Sequence, residues 1–246
     1  MQIDYPELYG RADWLKDDFR AASPFPHARI KDFLAPDAYR ELQAAFPGPE
    51  DPIWKTPENA HTKAKMVTRR GPDDLKELLY PPQARAVLRE FNSGPFLRFL
   101  SKLTGILGLV PDPYFAEAGF HCTGNGGFLD IHADFSHHDE LGLERRLNLI
   151  LFLNDDWKVS YGGALGLYDI DLVPRRTILP HGNTAVVFTT SETSYHGHPE
   201  PMKLPSGVYR RSLALYYYAL PTERRRRHSV IFPADPDFMH KVSVET

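Results

Sequence analysis

His132 and Asp134 stand two residues apart in Phe128-Leu-Asp-Ile-His-Ala-Asp134, an interval that places both side chains on one side of an extended strand. A third ligand, from a strand facing them across the fold, would complete a set of two imidazoles and one carboxylate. Such a set occupies one face of a metal ion and leaves three adjacent positions open to other molecules. His196, eight residues past the apolar run Thr184-Ala-Val-Val-Phe188, is the candidate. His198 would share its face if the strand continued, but Gly197 and Pro199 favour a strand that ends at His196. With 11 histidines in the chain, rival pairs arise at His137-His138-Asp139 and His198-Pro199-Glu200. The first reads as a solvated polar loop, and the second has only His228 and His240 after it. His132, preceded by Phe128, Leu129 and Ile131, is the better anchor.

A second feature is Val208-Tyr-Arg-Arg-Ser-Leu-Ala-Leu-Tyr-Tyr-Tyr218, in which Arg210, Ser212, Ala214 and Tyr216 share one face of a strand and Arg211, Leu213, Leu215 and Tyr217 the other. An arginine directed into a protein interior requires an anion, because an unpaired buried guanidinium is costly. A bound carboxylate fits its planar fork, with a nearby serine hydroxyl as a third donor. An internal ion pair with Asp or Glu is the competing reading, and Arg211 exchanges roles with Arg210 if the register slips by one.

The elements that must position these residues follow from periodicity. Apolar spacing and Pro or Gly boundaries predict helices over 36–46, 73–80, 83–91 and 96–104, an edge strand near 27–34, and a long polar loop over 49–70. Short apolar runs punctuated by Gly, Asn, Asp and Pro predict strands near 114–122, 128–132, 146–153, 164–169, 176–179, 184–189, 193–196, 208–219 and 228–232. The expected architecture is α+β: a double-stranded β-helix, or cupin-like jelly roll, over 111–232, with a mainly helical portion over 1–110 packed on one sheet and a tail over 233–246. Residues 1–246 are expected to form a single catalytic domain.

Composition narrows the function classes. Hydrophobic residues make up 42% and charged residues 25%, an ordinary globular profile, and a net charge of −3 supplies no field for nucleic acid. The start lacks a basic region followed by an apolar stretch, and no window approaches the roughly 18 apolar residues of a membrane span. A cytoplasmic protein without a membrane partner is expected. One cysteine, Cys122, excludes an internal disulfide and any multi-cysteine metal site, so metal ligands must be histidines and carboxylates. Lys63, Lys65, Arg69 and Arg70 hint at an acidic group on the substrate, and the 54–70 and 137–144 segments are the expected covers of the site's mouth.

Taken together, Gly126-Gly-Phe-Leu-Asp-Ile-His132-Ala-Asp134-Phe135, Arg146 to Trp157, Gly162-Gly163-Ala-Leu165, Asn183 to Phe188, Ser194-Tyr-His196-Gly-His198 and Arg210-Arg-Ser212 resemble the prolyl-4-hydroxylase-like branch of the iron(II)/2-oxoglutarate oxygenase superfamily, over roughly 114–220. The resemblance implies iron held by His132, Asp134 and His196. It implies 2-oxoglutarate gripped at its distal carboxylate by Arg210 with help from Ser212, and Leu165 and Phe152 lining that pocket. Relatives often place a cosubstrate-contacting tyrosine where Cys122 stands, and Asn148 is the candidate polar substitute on that wall. Asp134 implies hydroxylation, since halogenating relatives carry a small residue there.

The implied activity is a dioxygenase that hydroxylates an unactivated C–H bond of an amino-acid, prolyl-peptide or other small-molecule substrate, releasing succinate and CO2. It would use Fe(II), 2-oxoglutarate and O2, with ascorbate as an auxiliary reductant. The alternatives are a cupin-type metal enzyme that does not use 2-oxoglutarate, in which Arg210 is structural, and a metal-free jelly-roll binding module. Monomer and homodimer are both open.

Overall fold

The computed structural model describes residues 3–56, 59–68, 80–115, 118–221 and 227–234. Helix α1 (Tyr5–Ala21) begins at Asp4, whose side chain accepts from the Glu7 amide, with Pro6 in its first turn. The sequence reading left this segment without an element, because Gly10 and many charges dilute an apolar stripe that buries only Leu8, Ala12 and Phe19. Helices α2 (Pro36–Ala44), α3 (Pro82–Phe91) and α4 (Gly94–Thr104) lie where periodicity predicts them. Ser93 caps α4 by accepting from the Phe96 amide, and Gly105 ends it in the left-handed region at φ 76°. The helix expected over 73–80 falls almost wholly outside the described residues. No described helix is long and apolar enough to cross a membrane.

Among the described residues, twelve strands form one curled antiparallel sheet, a double-stranded β-helix. They are β1 (His27–Ile30), β2 (Trp54–Lys55), β3 (Thr62–Thr68), β4 (Val110–Pro111), β5 (Gly119–His132), β6 (His137–His138), β7 (Leu143–Phe152), β8 (Leu165–Tyr168), β9 (Pro174–Ile178), β10 (Thr184–Thr189), β11 (His196–His198) and β12 (Arg210–Ala219). The main path runs β1-β10-β7-β12-β5-β11-β8-β9, with β3 on β5, β2 on β3, β4 on β12 and β6 on β7. The sheet folds back on itself: Phe152, Val186 and Phe188 from one arm pack in a common cluster with Leu165, Leu167 and Ile178 from the other.

Five sequence expectations change, the first being that the strand expected over 193–196 to end at His196 instead begins there and runs to His198 as β11. The polar loop expected over 49–70 contains β2 and β3, and β3 pairs with β5; its lysines suggest a loop, but of the strand's residues only Lys63 is exposed. The strands expected at 114–122 and 128–132 are one long β5, whose glycine-rich middle shifts register against β3 rather than ending the strand. His137 and His138 form a short buried strand instead of a solvated loop. Over 228–232 only a single bridge, Ala133 to Ile231, stands where a strand is expected.

Alternation along β12 divides the molecule. Arg210, Ser212, Ala214 and Tyr216 line an internal cavity, while Tyr217 faces the helices and its hydroxyl donates to the Phe91 carbonyl at 3.0 Å. Phe33, Phe91, Phe96, Phe99 and Tyr217 join there in one aromatic cluster, with the Phe91 and Phe96 ring centres 4.8 Å apart. Replacing fully buried Phe96 by Ala is expected to cost about 3–5 kcal/mol, measured by urea denaturation, while metal affinity of the folded protein stays unchanged.

Candidate metal centre and adjoining cavities

His132 closes β5 and His196 opens β11, and the two are direct cross-strand partners. The third ligand therefore comes from the neighbouring antiparallel strand, not from one facing across the roll. Gly197 permits this approach, since a Cβ there would lie 2.7 Å from the Asp130 carbonyl oxygen. The ligand atoms of His132, Asp134 and His196 all lie within 4.8 Å of one another, the only such cluster of three or more potential ligands among the described residues. Each imidazole is oriented by its own strand: Nδ1 of His132 donates to the Asp130 carbonyl at 2.8 Å, and Nδ1 of His196 to the Ser194 carbonyl at 3.0 Å. A carbonyl only accepts, so in the neutral form of each ring Nε2 is the ligating atom, and the two Nε2 atoms lie 3.6 Å from Asp134 Oδ1 and 3.4 Å from its Oδ2. Burial, with the neighbouring His132, pushes the His196 pKa down to about 4, which keeps it in the ligating form. Two imidazoles and a carboxylate on one face fit iron(II).

Sequence reasoning missed the group that holds the carboxylate. Burial alone would raise the Asp134 pKa, but the Arg145 guanidinium and the two imidazoles hold it well below the usual carboxylate range. Arg145, with its side chain fully buried, lies 3.2 Å from Asp134 Oδ2 and sits over the mutually perpendicular rings of Tyr216 and Phe135, 3.5 and 4.4 Å from their centres. Asn148 completes the clamp: its Oδ1 accepts from Arg145 Nε and Nη2 at 2.9 and 2.6 Å, and its Nδ2 donates to Asp134 Oδ2 at 2.5 Å. Both donors converge on Oδ2, the oxygen that also faces His196 Nε2 at 3.4 Å, while Oδ1 faces His132 Nε2 at 3.6 Å. Strict alternation would put Arg145 on the helix-facing side with Leu147 and Leu149. A register shift opposite Tyr217 and Tyr218 turns it to the cavity side.

Behind the triad lies a cavity of about 80 Å³, lined by Asn148, Leu165, His198, Arg210 and Ser212 among others. Arg210 Nε donates to the Gly163 carbonyl at 2.7 Å, and burial lowers its pKa to about 10. No carboxylate among the described residues pairs with it, whereas Arg211 points the other way, over the Phe46 ring at 5.4 Å. Phe152 packs beside the Arg210 guanidinium, 5.0 Å from ring centre to Cζ. Cys122 is buried and pairs with Met66 and Arg211 in the sheet, and its neighbours His121 and Thr123 line the cavity in its place. His198 lines the cavity too, outside the ligand cluster; burial and the charges of Arg210 and Lys65 keep its pKa far below the ordinary histidine value.

On the open side, His132 and Asp134 also line a cavity of about 700 Å³. Lys65 from β3 borders both cavities; Lys63 is exposed, and Arg69 and Arg70 lie outside the described residues. The 227–232 segment forms one wall. Ala133, between the two ligands on β5, exchanges both backbone hydrogen bonds with Ile231 at 2.9 Å. Phe232 stacks on His61 with ring centres 3.8 Å apart.

Comparison with known proteins places residues 118–218 on the model of the 2OG-Fe(II) oxygenase superfamily. A curated relative, prolyl 3-hydroxylase OGFOD1 of Xenopus laevis, is 27% identical over 216 residues, covering 83% of this chain but 37% of the relative. The chain thus spans little more than a third of that relative's length. Two solved structures share the fold. A Trichoplax adhaerens prolyl hydroxylase in complex with a hypoxia inducible factor peptide has a TM-score of 0.60 at 14% identity, over 89% of this chain and 94% of that one. A Pseudomonas putida prolyl-4-hydroxylase has a TM-score of 0.51 at 17% identity, over 85% and 98%.

Asn148→Ala is expected to weaken Co(II) binding by about 10–100-fold in calorimetric titration, because Asp134 loses the donor that fixes its second oxygen. Arg145→Met is expected to cost about 3–5 kcal/mol of stability, since Asp134 would stay buried without its counter-ion.

Proposed function

We propose, on the premise that this chain belongs to the 2OG-Fe(II) oxygenase superfamily through residues 118–218, that it is an iron(II)- and 2-oxoglutarate-dependent dioxygenase hydroxylating a prolyl residue of a polypeptide. The observation that carries the reading is a buried Arg210 without a carboxylate partner among the described residues, in a cavity that also reaches the three ligands. His132, Asp134 and His196 would hold the iron. Arg210 would pair with the distal carboxylate of 2-oxoglutarate, Ser212 would add a hydroxyl donor, and Leu165 an apolar wall. When bound, the iron and its oxo-acid cosubstrate supply the activation of dioxygen that a C–H bond requires, with succinate and CO2 as coproducts.

The chain's own part is to separate two approaches to the metal. The distal carboxylate is received on the Arg210 side, while the 700 Å³ cavity admits the carbon to be oxidised past His132 and Asp134. That cavity exceeds what a free proline fills, and the relatives named above are prolyl hydroxylases, which supports a polypeptide substrate.

Two measurements test this. Anaerobic protein loaded with iron(II) is expected to develop the weak visible charge-transfer band of a bound 2-oxo acid on addition of 2-oxoglutarate. The Arg210→Ala variant is expected to require at least about 10-fold more, as follows from losing a charge-assisted pair. In air, proline-containing polypeptides are expected to stimulate succinate release and to gain one oxygen atom by mass spectrometry. Stoichiometric iron without the band would refute the cosubstrate, and succinate release blind to every prolyl polypeptide would refute the substrate.

A further inference from the structure

His198 has no role in the site as described so far. It lies on β11 two residues beyond His196, and a register shift between them sets it opposite Leu129. Its imidazole is 5% exposed, lines the cavity that holds Arg210 and Ser212, and has no hydrogen-bond partner at Nδ1. A buried polar atom without a partner is rare enough to indicate a missing one.

The neighbours narrow what that partner is. Of the other polar residues on the cavity wall, Asn148 is spent on Arg145 and Asp134, while Lys65, His121 and Thr123 line it from β3 and β5. Cys122, at the position where relatives carry a tyrosine, is not among the residues lining the cavity. An imidazole always carries at least one N–H, and here it stands with a guanidinium and a hydroxyl around one small space. These donors and the Lys65 ammonium line one small cavity and call for a ligand rich in acceptors; a carboxylate offers about four lone-pair sites.

We propose that His198 is a second binding residue for the distal carboxylate of the cosubstrate, so that with Arg210 it selects a five-carbon dicarboxylic oxo acid over oxo acids that lack the far carboxylate. This rests on the 2-oxoglutarate reading above. The test compares His198→Leu, which fills the space without a donor, with His198→Asn, which keeps one. Each protein is loaded anaerobically with iron(II) and titrated with 2-oxoglutarate and, separately, with pyruvate, which chelates a metal alike but ends in a methyl group.

The dissociation constant for 2-oxoglutarate is expected to rise about 10-fold in His198→Leu while that for pyruvate is unchanged, and His198→Asn is expected to recover part of the loss. Co(II) affinity is expected to stay at the wild-type value in both. Equal weakening of the two oxo acids, a parallel loss of metal affinity, or no change in a folded variant would each overturn the proposal. Absence of any 2-oxo-acid band in the wild type would instead overturn the cosubstrate reading on which it stands.

Discussion

One negative charge inside the roll governs the rest of the structure. Asp134 can remain ionised among apolar strands only because Arg145 lies against it, and Arg145 is tolerable there only because two aromatic faces and an asparagine surround it. The register shift in β7 serves this pair: without it the guanidinium would face the helices and the carboxylate would be left alone. Tyr216 must then be aromatic for Arg145 on the face it shares with Arg210. Placement of one carboxylate thus constrains three strands.

The same strands divide cations by task. Arg145 is consumed internally, its charge spent on a ligand. Arg210, on β12, has a backbone carbonyl for one nitrogen and no carboxylate among the described residues. A cavity that retains such a group is built around an anion that comes and goes.

Much of this was legible in the sequence where the period of two held. His132 and Asp134 read correctly as neighbours on one face, and the alternation of β12 separated Arg210 from Arg211. What broke the period was hidden, since the clamp residue Arg145 lies behind a bulge; His198 keeps the cavity side by plain alternation, on a strand that Gly197 and Pro199 had suggested would end at His196. Strand β3 was concealed by composition, since Lys63 and Lys65 suggest a loop until β5 is available to pair with them. Helix α1 was concealed because its buried stripe is three residues wide. The cross-strand pairing of His132 with His196 is a tertiary fact, since spacing along one chain says nothing of which strand lies beside which.

Ala133 draws these strands to a chain segment far away in sequence. Its two hydrogen bonds to Ile231 fasten the 227–232 wall to the peptide units that carry both His132 and Asp134. Each is worth about 0.5–1.5 kcal/mol net. A single alanine, whose side chain takes no part, thus joins the wall of the outer cavity to the stretch of backbone that carries two of the three clustered side chains.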